Sequence, residues 1–141
     1  MKKTITSNSS DETFALGSAL VEKIVGKSVV ALYGDLGAGK TIFAKGIAAR
    51  LGIAGEITSP TFSLMEVYEG NITLYHFDLY RIDDPNEFAN LSFEEYWEGD
   101  GVSVIEWPEI AENILPQKRI NVRIEYIDEN RRTISIEYPD D

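Results

Sequence analysis

The stretch from Ser28 to Thr41, SVVALYGDLGAGKT, constrains this chain more than any other. Val29, Val30, Ala31, Leu32 and Tyr33 form an apolar run of the kind that fills a strand buried on both faces. It leads directly into G-x-x-x-x-G-K-[ST], with Gly34, Gly39, Lys40 and Thr41 in register. Ile42, Phe43, Ala44, Ile47, Ala48 and Leu51 then recur at helical spacing and stop at Gly52, a C-cap residue. A glycine-rich turn that merely joins a strand to a helix is the plain alternative. The strand, loop and helix in this order favour a phosphate-binding P-loop in an α/β fold.

In such a loop the backbone N–H groups turn inward around a di- or triphosphate. Gly34, Asp35, Leu36, Gly37, Ala38, Gly39, Lys40, Thr41 and Ile42 are the expected lining. Lys40 would reach the outer phosphates, a catalytic as well as a binding role, and Thr41 would offer its hydroxyl to Mg²⁺.

At 141 residues, 43% of them hydrophobic, residues 1–141 are expected to form one domain with a real core. Acidic side chains outnumber basic ones by 24 to 13, giving a net charge of −11. A polyphosphate backbone would repel that surface, so direct nucleic-acid binding by this chain alone is not expected, although a partner could supply positive charge. The lack of cysteine removes disulfides, thiolate metal sites and thiol nucleophiles together. No apolar N-terminal segment follows Met1-Lys2-Lys3 and no run is long enough to cross a bilayer, which points to a cytoplasmic protein.

Elsewhere the pattern is mixed. Ser9-x-x-Glu12 is a capping-box pattern, followed by Leu16, Leu20 and Ile24, and predicts a helix of about four turns leading to Gly26. Phe62 to Tyr68 and Ile72 to Asp78, joined by Glu69-Gly70-Asn71, read as a hairpin. Short helices are expected in the acidic, aromatic stretch from Leu79 to Asp100, and Val102 to Glu106 is a short apolar strand. Ile120 to Ile127 and Thr133 to Tyr138 flank a polar turn and read as a closing hairpin. The expected architecture is a three-layer P-loop fold: a mixed, mainly parallel sheet flanked by helices, with an inserted and a C-terminal hairpin.

A P-loop holds phosphates, but hydrolysis also needs Mg²⁺ and a positioned water. Glu106 ends the other strongly apolar strand, where strand ends converge beside the loop, and is the candidate metal ligand; the alternative is a solvated strand-end carboxylate. His76 and Asp78 share a strand face by period-two alternation. Asp78 could then orient or deprotonate water or bind Mg²⁺ through water, or it could simply cap the next turn beside a half-buried His76. Arg81 reads either as a charge-stabilising finger or as a salt-bridge partner. The hydroxyl-rich Thr58-Ser59-Pro60-Thr61 reads either as a switch loop closing on the γ-phosphate or as a plain turn, while Lys45 and Arg50 read as a solvated helix face.

GDLGAGKT at 34–41, SPTF at 59–62, HFDLYR at 76–81 and IEWPE at 105–109, in this order and spacing, resemble the TsaE family of bacterial P-loop ATPases. With the N-terminal helix and final hairpin, the resemblance covers nearly the whole domain. It implies that Gly37 to Thr41 hold the phosphates, that Thr41 and Glu106 bind Mg²⁺, and that Asp78 is essential for hydrolysis. It further implies a switch loop at Ser59 to Thr61, with Thr61 at the nucleotide, Trp107 beside it, and Ser10 and Arg131 on the base and ribose side of ATP. The implied partners are TsaB and TsaD; TsaD catalyses carbamoyl transfer to the adenosine beside the anticodon, and ATP hydrolysis would sustain or reset that complex, so tRNA is met only through it. One departure is Ile42, where family members often carry a second hydroxyl residue; weaker nucleotide affinity is the expected consequence.

Other functions remain in play at the sequence level. A small-molecule kinase would use the same loop, but it needs an arginine-rich lid, and arginines here are few and scattered. A GTP switch lacks its Asn-Lys-x-Asp tetrad. A non-catalytic nucleotide-dependent switch stays open.

Overall fold

The apolar run of the P-loop strand becomes β2 (Ser28–Tyr33), the middle of the seven strands that the described residues form in one sheet. The computed structural model describes residues 2–24, 28–35, 38–54, 57, 65–80, 82, 94–97 and 99–139. The other strands are β1 (Lys2–Ser7), β3 (Met65–Tyr68), β4 (Leu74–Asp78), β5 (Val102–Glu106), β6 (Ile120–Tyr126) and β7 (Arg132–Glu137). Across the sheet they run β1-β7-β6-β2-β5-β4-β3. The central strands β6, β2, β5 and β4 are parallel, and both edges close with antiparallel pairs, β7 and β1 on one side and β3 on the other. The α/β fold with a mixed sheet and two hairpins is as the sequence predicts.

Alternation decides which face each side chain takes. Val30, Leu32, Leu74, Val102, Val104, Val122, Ile124 and Ile134 point to one face, where Leu20, Phe43, Ile47 and Leu51 cover them. Those covering residues come from α1 (Ser10–Leu20), from α2 (Lys40–Arg50) and from Leu51, which caps α2. Val29, Phe77 and Ile105 point to the opposite face and meet Leu79, Ile82, Ala111 and Leu115, with Tyr96 of the one-turn helix α3 (Glu94–Trp97) at the margin. Burying one such side chain as large as Phe43 is worth roughly 2–3 kcal/mol.

The capping pattern at the start of α1 forms. Ser9 Oγ accepts from Glu12 N at 3.1 Å, and Glu12 Oε2 accepts from Asn8 N at 2.8 Å, one residue further out than the standard box. A 3₁₀ turn at Val21–Lys23 follows, so the α-helical part is shorter than four turns. Helices α1 and α2 meet through reciprocal glycines. A Cβ on Gly17 would lie 2.2 Å from the Phe43 carbonyl oxygen, and one on Gly46 would lie 2.0 Å from that of Phe14. Only hydrogen fits at either point, and the contact brings the first turn of α1 beside the P-loop. Thr13 Cγ2 there is 3.8 Å from where a Cβ on Gly39 would stand.

Strand β1 was not foreseen. Its KKTITS sequence has little apolar alternation, and it forms because β7 supplies a full antiparallel ladder from Lys2↔Glu137 to Ser7↔Arg132. The inserted hairpin is present, with its second strand starting at Leu74 rather than Ile72, and residues 62–64 of its expected first strand lie outside those described.

Candidate active site at the P-loop

Gly34 follows β2 with φ +151°, and a Cβ there would lie 2.6 Å from the Ile124 carbonyl oxygen on β6. Gly39, at φ +108°, is the N-cap of α2 and supplies no side-chain acceptor to the first turn. Backbone donors at this helix start are therefore left uncapped by the N-cap residue, the condition that suits an anion. Between the two glycines, Ala38 N donates to the Asp35 carbonyl at 3.0 Å.

Lys40 is only 5% exposed, and its Nζ has no hydrogen-bond partner among the described residues. The ammonium instead sits 3.3 Å from the ring centroid of Trp107. Burial pulls its pKa down, while the charges of Glu106, Glu109, Asp78 and Asp35 oppose that shift. A buried ammonium without hydrogen bonds is costly. An anionic ligand with several acceptor oxygens would supply the bonds this group lacks.

Facing it are two carboxylates. Asp78 and Glu106 are register partners at the C-terminal ends of the parallel strands β4 and β5. By alternation they share the α2 face with Leu74, Val102 and Val104. Glu106 is 3% exposed, and its Oε2 lies 2.6 Å from Nε2 of His76, which is wholly buried. The expected shared face of His76 and Asp78 is present. The partner of His76, however, is the strand-end glutamate, a diagonal relation that only the β4–β5 register creates.

Asp78 is half-buried, and its Oδ1 accepts from Tyr80 N at 3.1 Å, so it does cap the turn after β4. Burial, then the neighbouring Glu106 charge, pushes its carboxyl above the ordinary value, against the lowering effects of the Tyr80 N–H, His76 and Lys40. Among the described residues no three acidic or histidine side chains form a metal cage. Mg²⁺ does not need one, since it takes one or two protein oxygens and fills the rest of its octahedron with water and phosphate. The Thr41 hydroxyl and the Glu106 and Asp78 carboxylates are hard oxygen donors of that kind.

The remaining predicted residues are placed unevenly. Trp107 holds φ 58°, ψ 54°, a left-handed conformation that is rare for a bulky side chain, and its ring is 4.9 Å from that of Tyr80. Ser10 is exposed at the first position of α1, one helical turn before Thr13. Ile42 is half-buried in the first turn of α2. Arg131 is engaged within the β6–β7 turn, donating to Asp128 Oδ2 at 2.8 Å. Arg132, which sequence reasoning passed over, donates Nε–H to the Ala38 carbonyl at 2.9 Å and stacks on Tyr126, tying that turn to the P-loop. Nothing in a bare Arg-Arg pair distinguishes the two. Arg50 pairs with Glu22 at 3.0 Å on the solvated face. Leu36, Gly37, Thr58, Ser59, Pro60, Thr61 and Arg81 lie outside the described residues.

Comparison with known proteins points to one family. Residues 7–134 match the family model described as threonylcarbamoyl adenosine biosynthesis protein TsaE. The tRNA threonylcarbamoyladenosine biosynthesis protein TsaE of Treponema pallidum is 41% identical, covering 92% of this chain and 96% of its own length. Its Bacillus subtilis namesake is 40% identical, over 89% of this chain and 78% of its own. The crystal structure of YdiB from Bacillus subtilis superposes with a TM-score of 0.80 at 32% identity, covering 99% of this chain and 87% of that one. Among the described residues no helix is long and apolar enough to cross a membrane.

Proposed function

The chain belongs to the TsaE family and takes part in tRNA threonylcarbamoyladenosine biosynthesis, and from that premise we propose that it is a Mg²⁺-dependent ATPase whose turnover serves a TsaB–TsaD complex. The observation that carries the reading is the buried Lys40 ammonium, without a hydrogen-bond partner among the described residues, on the same face as the paired carboxylates of Asp78 and Glu106. A lone phosphate cradle would need the lysine but not the carboxylates.

Lys40 and the backbone donors at the start of α2 hold the outer phosphates of ATP, and Gly34 and Gly39 keep that backbone close. Thr41 and Glu106 would hold Mg²⁺, which when bound neutralises charge on the β- and γ-phosphate oxygens. Asp78 orients a water and takes its proton as the water oxygen bonds to the γ-phosphorus. The bond from that phosphorus to the β–γ bridging oxygen breaks, and ADP and inorganic phosphate leave. The raised pKa of Asp78 suits the proton-accepting role, since a carboxylate with greater proton affinity is a better base.

The test is phosphate release from ATP and Mg²⁺, with the chain alone and with TsaB and TsaD homologues added. Release is expected to be slow alone and to rise on addition; no rise rejects partner-dependent turnover. Asp78→Ala should keep ATP binding and lose turnover, while Lys40→Ala should lose both. If Asp78→Ala hydrolyses ATP at the normal rate, the water-handling role belongs to another residue.

A further inference from the structure

His76 is the one wholly buried titratable side chain, among the described residues, that the proposed chemistry leaves without a task. Its ring sits in the middle of β4, between Leu74 and Asp78 on the α2 face, and is 0% exposed. One nitrogen is committed: Nε2 is 2.6 Å from Glu106 Oε2. The other, Nδ1, is buried with no partner among the described residues. A carboxylate oxygen can only accept, so Nε2 carries the hydrogen in this contact. Burial of an imidazole and a carboxylate together is expensive, and an apolar pair of the same volume would fill this space more cheaply. The core around it is otherwise aliphatic, with Leu74, Val102 and Val104 as neighbours on that face.

We infer that His76 is a positioning residue: it fixes the Glu106 carboxylate by holding Oε2, so that Oε1 is presented to the Mg²⁺ and phosphate side of the P-loop. Glu106 has two rotatable bonds beyond Cβ, and a free side chain at a strand end would adopt several rotamers. The hydrogen bond selects one of them. Partners of this kind behind a metal-binding carboxylate are worth about 10–100-fold in metal affinity. The inference rests on the proposed Mg·ATP site and adds to it the reason for a buried histidine two residues before Asp78.

The test measures ATP affinity calorimetrically in EDTA and again across a Mg²⁺ titration, for the full chain and for three variants. His76→Leu fills the volume without a donor. His76→Asn carries an amide too short to reach Glu106, and His76→Gln carries one that reaches about as far as Nε2. Affinity in EDTA should stay within about twofold in all variants. The Mg²⁺ concentration giving half of the metal-dependent gain should rise about 10–100-fold in His76→Leu and His76→Asn and return to within a few-fold of the parent in His76→Gln. In turnover the change should appear as a raised KM for Mg²⁺ with a smaller change in kcat. If His76→Leu does not fold, the Asn and Gln pair decides alone, because both replace the ring with an amide. Equal Mg²⁺ dependence in those two variants overturns the inference, as does an Asn variant that matches the parent. A parent chain whose ATP affinity ignores Mg²⁺ overturns the site reading itself, and this inference with it.

Discussion

Three side chains at the P-loop face are held in states that folding alone would not choose. Lys40 is buried without a hydrogen bond to any described residue, Trp107 has a left-handed backbone, and Asp78 has a carboxyl of raised pKa. Such groups persist where the surroundings over-determine them, and a bound ligand is the usual reason they are kept. Asp78 allows the cost to be measured. Its folded pKa lies above the ordinary value of 3.8, so the ionised form is disfavoured in the folded chain. That destabilisation is absent below the unfolded pKa and fully present above the folded one, so its contribution to stability falls as pH rises between them. Asp78→Asn keeps an acceptor for the Tyr80 N–H and removes the charge. At pH 7.5 the variant is expected to melt about 1–3 °C above the parent, with the advantage closing as pH falls towards 4. A variant that melts below the parent at pH 7.5 would mean that the ionised carboxylate stabilises the fold, the reverse of what a raised carboxyl pKa requires.

At the level of elements, the seat of the P-loop depends on how closely α1 and α2 approach. Alanine has the better intrinsic helix propensity by about 1 kcal/mol, so a surface Gly→Ala change in α2 should stabilise. Gly46 is different, because the added methyl would lie 2.0 Å from a backbone oxygen of Phe14, which cannot move as a side-chain tip can. Overpacking of this kind costs about 1–3 kcal/mol or more and outweighs propensity. Gly46→Ala should therefore lower the denaturation midpoint by roughly 1–2 kcal/mol in stability with an unchanged m-value. A midpoint equal to or above the parent would show that the helices separate freely. The sequence disclosed the P-loop, β2, β5 with Glu106 at its end, and both hairpins, because each is encoded by local periodicity. It did not disclose β1, whose polar KKTITS gains its order from the β7 ladder. Nor did it disclose the His76–Glu106 pair or the Arg132–Ala38 contact, which join residues far apart in sequence through strand register and turn placement. Gly17 and Gly46 were invisible for the same reason, since a glycine in a helix reads as a weakness until its opposite number is known.

At the level of the whole molecule, the proposed docking would make charge act on folding and on association with opposite signs. The chain carries a net charge of −11, and the ion pairs Arg50–Glu22 and Arg131–Asp128, exposed and open to solvent screening, offset little of its self-repulsion. Mutual repulsion among the surplus carboxylates should dominate, and salt weakens it as the screening length falls from about 10 Å at 0.1 M to about 3 Å at 1 M. Raising NaCl from 20 mM to 0.5 M is thus expected to lift the melting temperature by about 2–5 °C. Docking of this acidic surface onto a basic face of the proposed TsaB–TsaD partner should respond with the opposite sign. Between 50 and 300 mM NaCl its affinity is expected to drop about tenfold, mainly through a slower association rate. Thermal melts and association kinetics over one salt series separate the two effects. A melting temperature that falls with salt would place the stabilising weight on the ion pairs, and an association rate indifferent to salt would mean that docking does not use the negative charge.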